Sequence, residues 1–256
     1  MSISLPYHRN YREMIGHYSD WAYIVDKSYS NNPQHYIRAF LMIQSDLIKL
    51  FEFIEPADEN IKTFSFRIHS LFMRTCIEIE ANFKAILQEN IYTPKDKKGK
   101  KRKESAWNIS DYKLIDKTHH LSSYTIELPI WNGSKNKFNP FSDWRENKSL
   151  FWYKAYNQSK HDRQNNFKKA NFENLMNAVS ALLILLSSQF KRENFSPGPT
   201  GLSVKTASYY SGNFGIGNYF IVNFPTDWQE DEKYEFEWSE LSKRSVKFQK
   251  INYDNI

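Results

Sequence analysis

Apolar residues recur every third or fourth position through the first half of the chain. In "NPQHYIRAFLMIQSDLIKLFEFI", residues 32–54, Ile37, Phe40, Leu41, Leu47, Leu50, Phe51 and Ile54 keep to one side of a helical repeat. Asn32 is placed to cap that helix, Pro33 suits its first turn, and Pro56 ends it. A longer helix is predicted over 57–90, capped by Asp58 or Asn60, with Ile68, Phe72, Ile79, Phe83, Ile86 and Leu87 as its apolar stripe. A short helix from Ser110 follows, then an alternating, strand-like "SSYTIELPIW" and the turn-rich "NGSKNKFNPFSDW". Helical spacing returns over 148–165 and 171–190. The second of these is apolar nearly all round from Ala178 to Leu186, as expected of a helix at the centre of a bundle.

Past "FSPGPTG" the period changes from helical to two. "LSVKTASYY", "GNYFIVNFP", "YEFEWSEL" and "SVKFQKINY" predict three or four antiparallel strands. The pattern therefore describes a mainly α protein, a helical bundle with a small C-terminal antiparallel β appendage. The bundle is expected over 1–195, with a basic loop at 94–106 and a strand-and-turn insertion at 122–147, and the β region over 196–256. With 40% hydrophobic and 16% aromatic residues, the chain has enough apolar material for a real core.

Charge alters this picture at one place. Of the 35 basic and 29 acidic residues, seven basic and one acidic lie in "KDKKGKKRK", residues 95–103, so this stretch carries the whole net charge of +6. A run of like charges repels itself and is expected to form a flexible loop. Lys97, Lys98, Lys100, Lys101, Arg102 and Lys103 are candidates for gripping a phosphate backbone, or simply keep the protein dissolved.

The candidate chemistry lies in "FWYKAYNQSKHDR", residues 151–163. On a helix Lys154, Asn157 and His161 share one face, with Lys160 at its margin. A second polar row, Arg74, Glu78 and Asn82, runs opposite the apolar stripe of the long helix, whereas Glu80 is spaced to pair with Lys84 on the surface. Three roles are open to the 154–161 cluster: an active site, a polar clamp between helices that engages Glu78, or a solvated surface. Imidazole can take or give a proton near neutral pH, and an adjacent cation stabilises charge developing on phosphate.

A long helix with "RTCIEIEANFKAIL", a later helix with "YNQSKH" and then an apolar helix together resemble the HEPN superfamily, helical bundles known as prokaryotic toxins and defence ribonucleases. The resemblance covers about residues 33–190. The family signature is Arg, a spacer of four to six residues, then His. It makes His161 the motif histidine and Asn157 a polar residue of the spacer. Tyr156, Ala155 and Lys154 occupy the positions open to the arginine, so the only cation there is Lys154, and Arg163 follows the histidine. A lysine lacks the planar fork with which arginine holds two phosphate oxygens. The resemblance implies metal-independent, cofactor-free cleavage of RNA by His161, Lys154, Asn157 and Lys160, with Arg74, Glu78 and Arg163 in support. It also implies a symmetric homodimer, an antitoxin or other protein partner, and a role in stress or phage defence. A catalytically silent interaction protein of the same fold is the alternative.

Other chemistries lack their motifs. "HH" at 119–120 has no nearby Cys, H-E-x-x-H is absent, and so are G-x-S-x-G and a Walker lysine. "GNFGIGNYF" is not followed by a helix, as a dinucleotide loop would be. Its flanking aromatics suit stacking on bases or packing on the bundle. Lone Cys76 and the absence of any apolar run near the roughly 20 residues that span a bilayer predict a soluble, cytoplasmic protein.

Overall fold

The computed structural model describes residues 2–16, 20–195 and 213–256. Its axis is α7 (Phe172–Phe190), in which every residue but Glu173 is buried. Helices α1 (Pro33–Leu50), α2 (Phe66–Glu89) and α5 (Phe151–His161) pack around it. α1 and α2 present the faces their spacing predicts: Ile37, Phe40 and Leu47 from α1, and Ile68, Phe72, Ile79 and Phe83 from α2. The protein is thus mainly helical. Among the described residues no helix is long and apolar enough to cross a membrane.

The long helix starts later than its sequence suggests. Ser65 caps α2 by accepting from the backbone N–H of Ile68 at 3.2 Å, and residues 58–60 make a single 3-10 turn. Two local demands hold 58–64 out of the helix. The N–H groups of Phe172 and Glu173, unpaired at the start of α7, donate to the carbonyls of Thr63 (2.8 Å) and Ile61 (2.9 Å). The Asp58 carboxylate accepts from Trp131 Nε1 (2.8 Å) and from the backbone of Ser134 (2.9 Å) and Lys135 (3.0 Å). Gly133 in that turn sits at φ +124°, where a Cβ would run into the carboxylate.

Helices α3 (Ile109–Tyr112) and α4 (Asp116–His119) follow the basic segment; the first opens on an Asn108–Asp111 capping box rather than at Ser110. A three-stranded antiparallel sheet has the order β2-β1-β3, from β1 (Thr125–Glu127), β2 (Lys137–Phe138) and β3 (Ile221–Asn223). Ile126 is paired with Phe138 on one side and Val222 on the other, and all three are buried. The expectation of three or four strands from the tail is therefore corrected: among the described residues only β3 comes from it. The stretch 202–210 lies outside the described residues. Within 234–241, α8 (Trp238–Leu241) replaces a strand, and residues 245–253 make only single bridges, Gln249 to Tyr7 and Asn252 to Ile91. Alternation here records an extended segment with one face on the core. Tyr234, Phe236, Phe248, Ile251 and Tyr253 join the same buried cluster as α7.

What the tail lies against is the N-terminal segment, and at its heart is Arg9, wholly buried. Its guanidinium donates to Glu89 Oε1 (2.5 Å), Gln189 Oε1 (2.8 Å) and the Asn31 carbonyl (2.7 Å), and lies 4.6 Å from the centre of the Tyr36 ring. Its backbone, left-handed at φ 54°, offers its carbonyl to His119 Nε2 at 2.8 Å. The other ring nitrogen of His119 lies 2.8 Å from Thr118 Oγ1. Sealed in this way, the imidazole is pushed down to about 3 by burial.

Removing one partner of a buried ion pair strands the other, at a cost of about 3–5 kcal/mol. Arg9→Met is expected to lower the unfolding free energy by about that amount in a denaturant titration, and a loss below about 1 kcal/mol would reduce the pair to a surface-like contact. His119 yields a second expectation. Its folded pKa lies below the unfolded value near 6.5, so the folded state binds fewer protons. The stability it supports is complete above that value and falls as the pH drops toward 3. From pH 6.5 to 5 the protein should lose up to about 1.4 kcal/mol per pH unit through this site. His119→Asn should show a shallower decline. The window stops at pH 5 because burial raises the carboxyls of Asp116 and Glu193, which act in the opposite sense in more acid solution. A wild-type stability that is flat from pH 7 to 5 would mean that a charged imidazole is tolerated at this position.

Candidate functional site

The face predicted to carry chemistry forms on α5. Trp152, Tyr153, Ala155, Tyr156 and Ser159 are buried, and Trp152 Nε1 donates to the Pro140 carbonyl at 2.8 Å. Lys154, Lys160 and His161 are exposed on the other side, with Asn157 half-buried among them. The helix does not continue to residue 165 as its spacing suggests. It stops at His161, because Asp162 leaves the helical region (φ −143°, ψ 76°) and its carboxylate caps a new turn, α6 (Arg163–Asn166), by accepting from Asn165 N. That break decides where Arg163 goes. Instead of opposing His161 on one helix, its guanidinium lies 5.9 Å from the centre of the Phe66 ring at the start of α2.

The predicted residues divide among three places. Lys154 and Asn157 line a cleft of about 630 Å³ with Lys113, Trp144, Lys148 and Tyr153. His161 stands beyond it at the helix end, and among the described residues its ring has no hydrogen bond or ion pair. Seven residues of helix put the backbones of Lys154 and His161 roughly 10 Å apart. Lys160 is drawn over the Tyr156 ring, 5.1 Å from its centre. Arg74 faces α1 and pairs with Asp46 at 2.7 Å.

The clamp between α2 and α5 is built from a residue that the spacing assigns elsewhere. Glu78 makes no side-chain bond to α5 among the described residues; its carbonyl accepts from Asn82 Nδ2. Glu80, expected to pair with Lys84 on the surface, instead accepts from the Tyr153 hydroxyl at 2.9 Å. Burial and the charge of Glu80 together push the phenols of Tyr153, Tyr156 and Tyr112 above their ordinary range. The signal was three tyrosines at 112, 153 and 156 with no assigned partner, which is weak without the tertiary arrangement.

The basic segment also differs from its expected form. It is a hairpin: Lys95 bridges Lys101, Arg102 N donates to the Pro94 carbonyl, and the Asp96 carboxylate accepts from the backbone of Lys98 and Lys100. Lys97, Lys98, Lys100, Lys101 and Lys103 project into solvent. Arg102 does not join them. Its guanidinium straddles the Asp111 carboxylate at 2.8 and 3.0 Å and reaches the Ala106 carbonyl, because a buried carboxylate needs a counter-charge.

A second concavity, about 610 Å³, lies between the end of α1 and the start of α2, lined by Lys49, Phe53, Phe66, Arg67 and Arg74. Sequence reasoning passed over Phe53 and Phe66 because both fall at helix ends, where the apolar repeat no longer says which way a side chain faces. Among the described residues no group of three or more His, Cys, Asp or Glu is arranged to hold a metal ion. Compared with known proteins, the chain matches no family model, no curated sequence and no solved structure.

Proposed function

We propose that this protein binds RNA along the outer face of α5 and cleaves it without a metal, as its resemblance to HEPN ribonucleases implies. One observation carries the reading. His161 is exposed with both ring nitrogens unengaged among the described residues, in line with Asn157 and Lys154, which open into a cleft. In this scheme the imidazole takes the proton of a ribose 2′-hydroxyl, the 2′-oxygen attacks the adjacent phosphorus, and the bond to the 5′-oxygen breaks to leave a cyclic phosphate. The leaving oxygen needs a proton as well, and each chain supplies one histidine at this face. A second copy, related by the symmetry the resemblance implies, brings the other. Lys154, about 10 Å along the helix, holds a neighbouring part of the strand rather than the phosphate being cleaved.

The alternative is an interaction protein with no activity. It is favoured by the loose state of His161, since a catalytic base is normally held by a second group, and by a lysine where the signature calls for arginine. The two readings separate cleanly because residue 161 is exposed, so its truncation should change stability by no more than about 0.5 kcal/mol. Purified protein with labelled RNA in EDTA is expected to release fragments ending in a cyclic phosphate, and His161→Ala to lose at least about 100-fold in rate with an unchanged melting temperature. Wild-type protein that leaves RNA intact as a dimer would establish the silent reading.

A further inference from the structure

We propose that the groove between α1 and α2 is a binding site for single-stranded nucleic acid, in which bases stack on Phe53 and Phe66 while Lys49, Arg67 and Arg74 meet the phosphates. The inference does not depend on cleavage at His161. It starts from an anomaly of burial. Most large aromatic rings of this chain are packed in its core, yet Phe53 is 75% and Phe66 67% exposed, on adjoining elements and facing one groove. Leaving two such rings in water forgoes substantial burial energy.

The surroundings identify the occupant. Three cations line the groove against one carboxylate, Asp46, which pairs with Arg74 at 2.7 Å and lies 3.9 Å from Lys49. An exposed pair of this kind is worth little, so Arg74 exchanges it readily for a phosphate. Further cations sit directly on the neighbouring rings. Arg163 lies over Phe66, whose ring centre is 4.7 Å from that of Phe167, and Lys168 lies 5.9 Å over Phe64. A protein partner would favour an apolar centre ringed by mixed charge. Rings interleaved with cations are instead the surface used for unpaired bases, because every base has a face that stacks and every nucleotide carries a negative charge. A duplex keeps its bases stacked on one another and offers these rings nothing. Burial and the nearby Arg163 lower the pKa of His69, which lies beside Phe167.

The test measures binding with the His161→Ala protein, so that hydrolysis cannot interfere and failure of the cleavage reading leaves this one standing. Fluorescein-labelled oligo-U, oligo-dT of equal length and a blunt duplex are titrated by anisotropy over a range of salt. Both single strands, or the RNA alone, should bind more tightly than the duplex. Phe53→Ala and Phe66→Ala should each weaken binding roughly 5- to 100-fold. Replacing Lys49, Arg67 and Arg74 by Gln should flatten the salt dependence by about two to three in its log–log slope. Neutralising Lys97, Lys98, Lys100 and Lys101 serves as the comparison and should leave ring-dependent stacking intact. Melting temperatures confirm that each variant is folded. Undiminished binding by folded ring variants would overturn the proposal. So would absent binding by the parent protein, or a dimer that Phe53→Ala or Phe66→Ala dissociates, since the rings would then serve a second copy of the chain.

Discussion

A single buried guanidinium holds one end of this molecule together. Arg9 belongs to a segment without helix or strand, yet it donates to Asn31 in the chain just ahead of α1, to the end of α2 and to the end of α7, and its backbone carbonyl receives His119. A charge removed from water is tolerable only when every strong donor has a partner, and here the partners lie up to 180 positions from Arg9 along the chain. The contact therefore does more than close a gap. It fixes the relative ends of three helices, and the C-terminal segment then lies on the strand-like chain that carries Arg9. Tyr234 donates to the Asn10 carbonyl at 2.9 Å, and Arg12 reaches the Glu232 carbonyl, also at 2.9 Å. The bundle has a locked end.

Helix identity was legible in the chain because an amphipathic stripe depends only on neighbours three and four apart. α7 could be assigned to the centre from its composition alone. What could not be read were contacts that spend a residue far from its neighbours. Asp58 looked like a cap, but the loop at 131–135 offered it more N–H groups than a helix start. Alternation in the tail looked like sheet, but Tyr234, Phe236, Phe248, Ile251 and Tyr253 place an extended chain on a core that other segments build. Arg9 and Arg12 gave no local sign at all, since "YHRNYR" has no period and reads as an ordinary polar terminus.

The candidate site shows the same division. Its outward face on α5 was readable, because residues at i, i+3 and i+7 share a side whatever the tertiary fold. Which acidic residue would meet that helix from α2 was not. Glu78 and Glu80 differ by two positions, and only the packed arrangement of Tyr112, Tyr153 and Tyr156 selects the second. The helix end at Asp162 was missed for a further reason. An Asp is a poor stop signal but a good cap, so it ends one helix only by beginning another. That small break carries Arg163 from the back of α5 to the ring of Phe66.

These placements give the molecule polarity. The chain just ahead of α1 and the end of α2 meet at Arg9, so the end of α1 and the start of α2 meet at the far side, where the groove lies. With 24 residues, α2 separates the two ends by about 36 Å. The lysine hairpin follows α2 and belongs to the locked end, whereas His161, Arg163, Phe53 and Phe66 belong to the open one. The stretch that carries the chain's excess of charge therefore sits far from the rings of Phe53 and Phe66. On the proposed reading, at a stacked rise of about 3.4 Å per nucleotide, a strand of roughly ten nucleotides is needed to touch both. Net charge steers an anion from a distance, over a Debye length of about 8 Å in physiological salt, while stacking holds it at contact. A sequence shows the first of these plainly and conceals the second, because the direction of a side chain at a helix end is fixed by the fold and by nothing local.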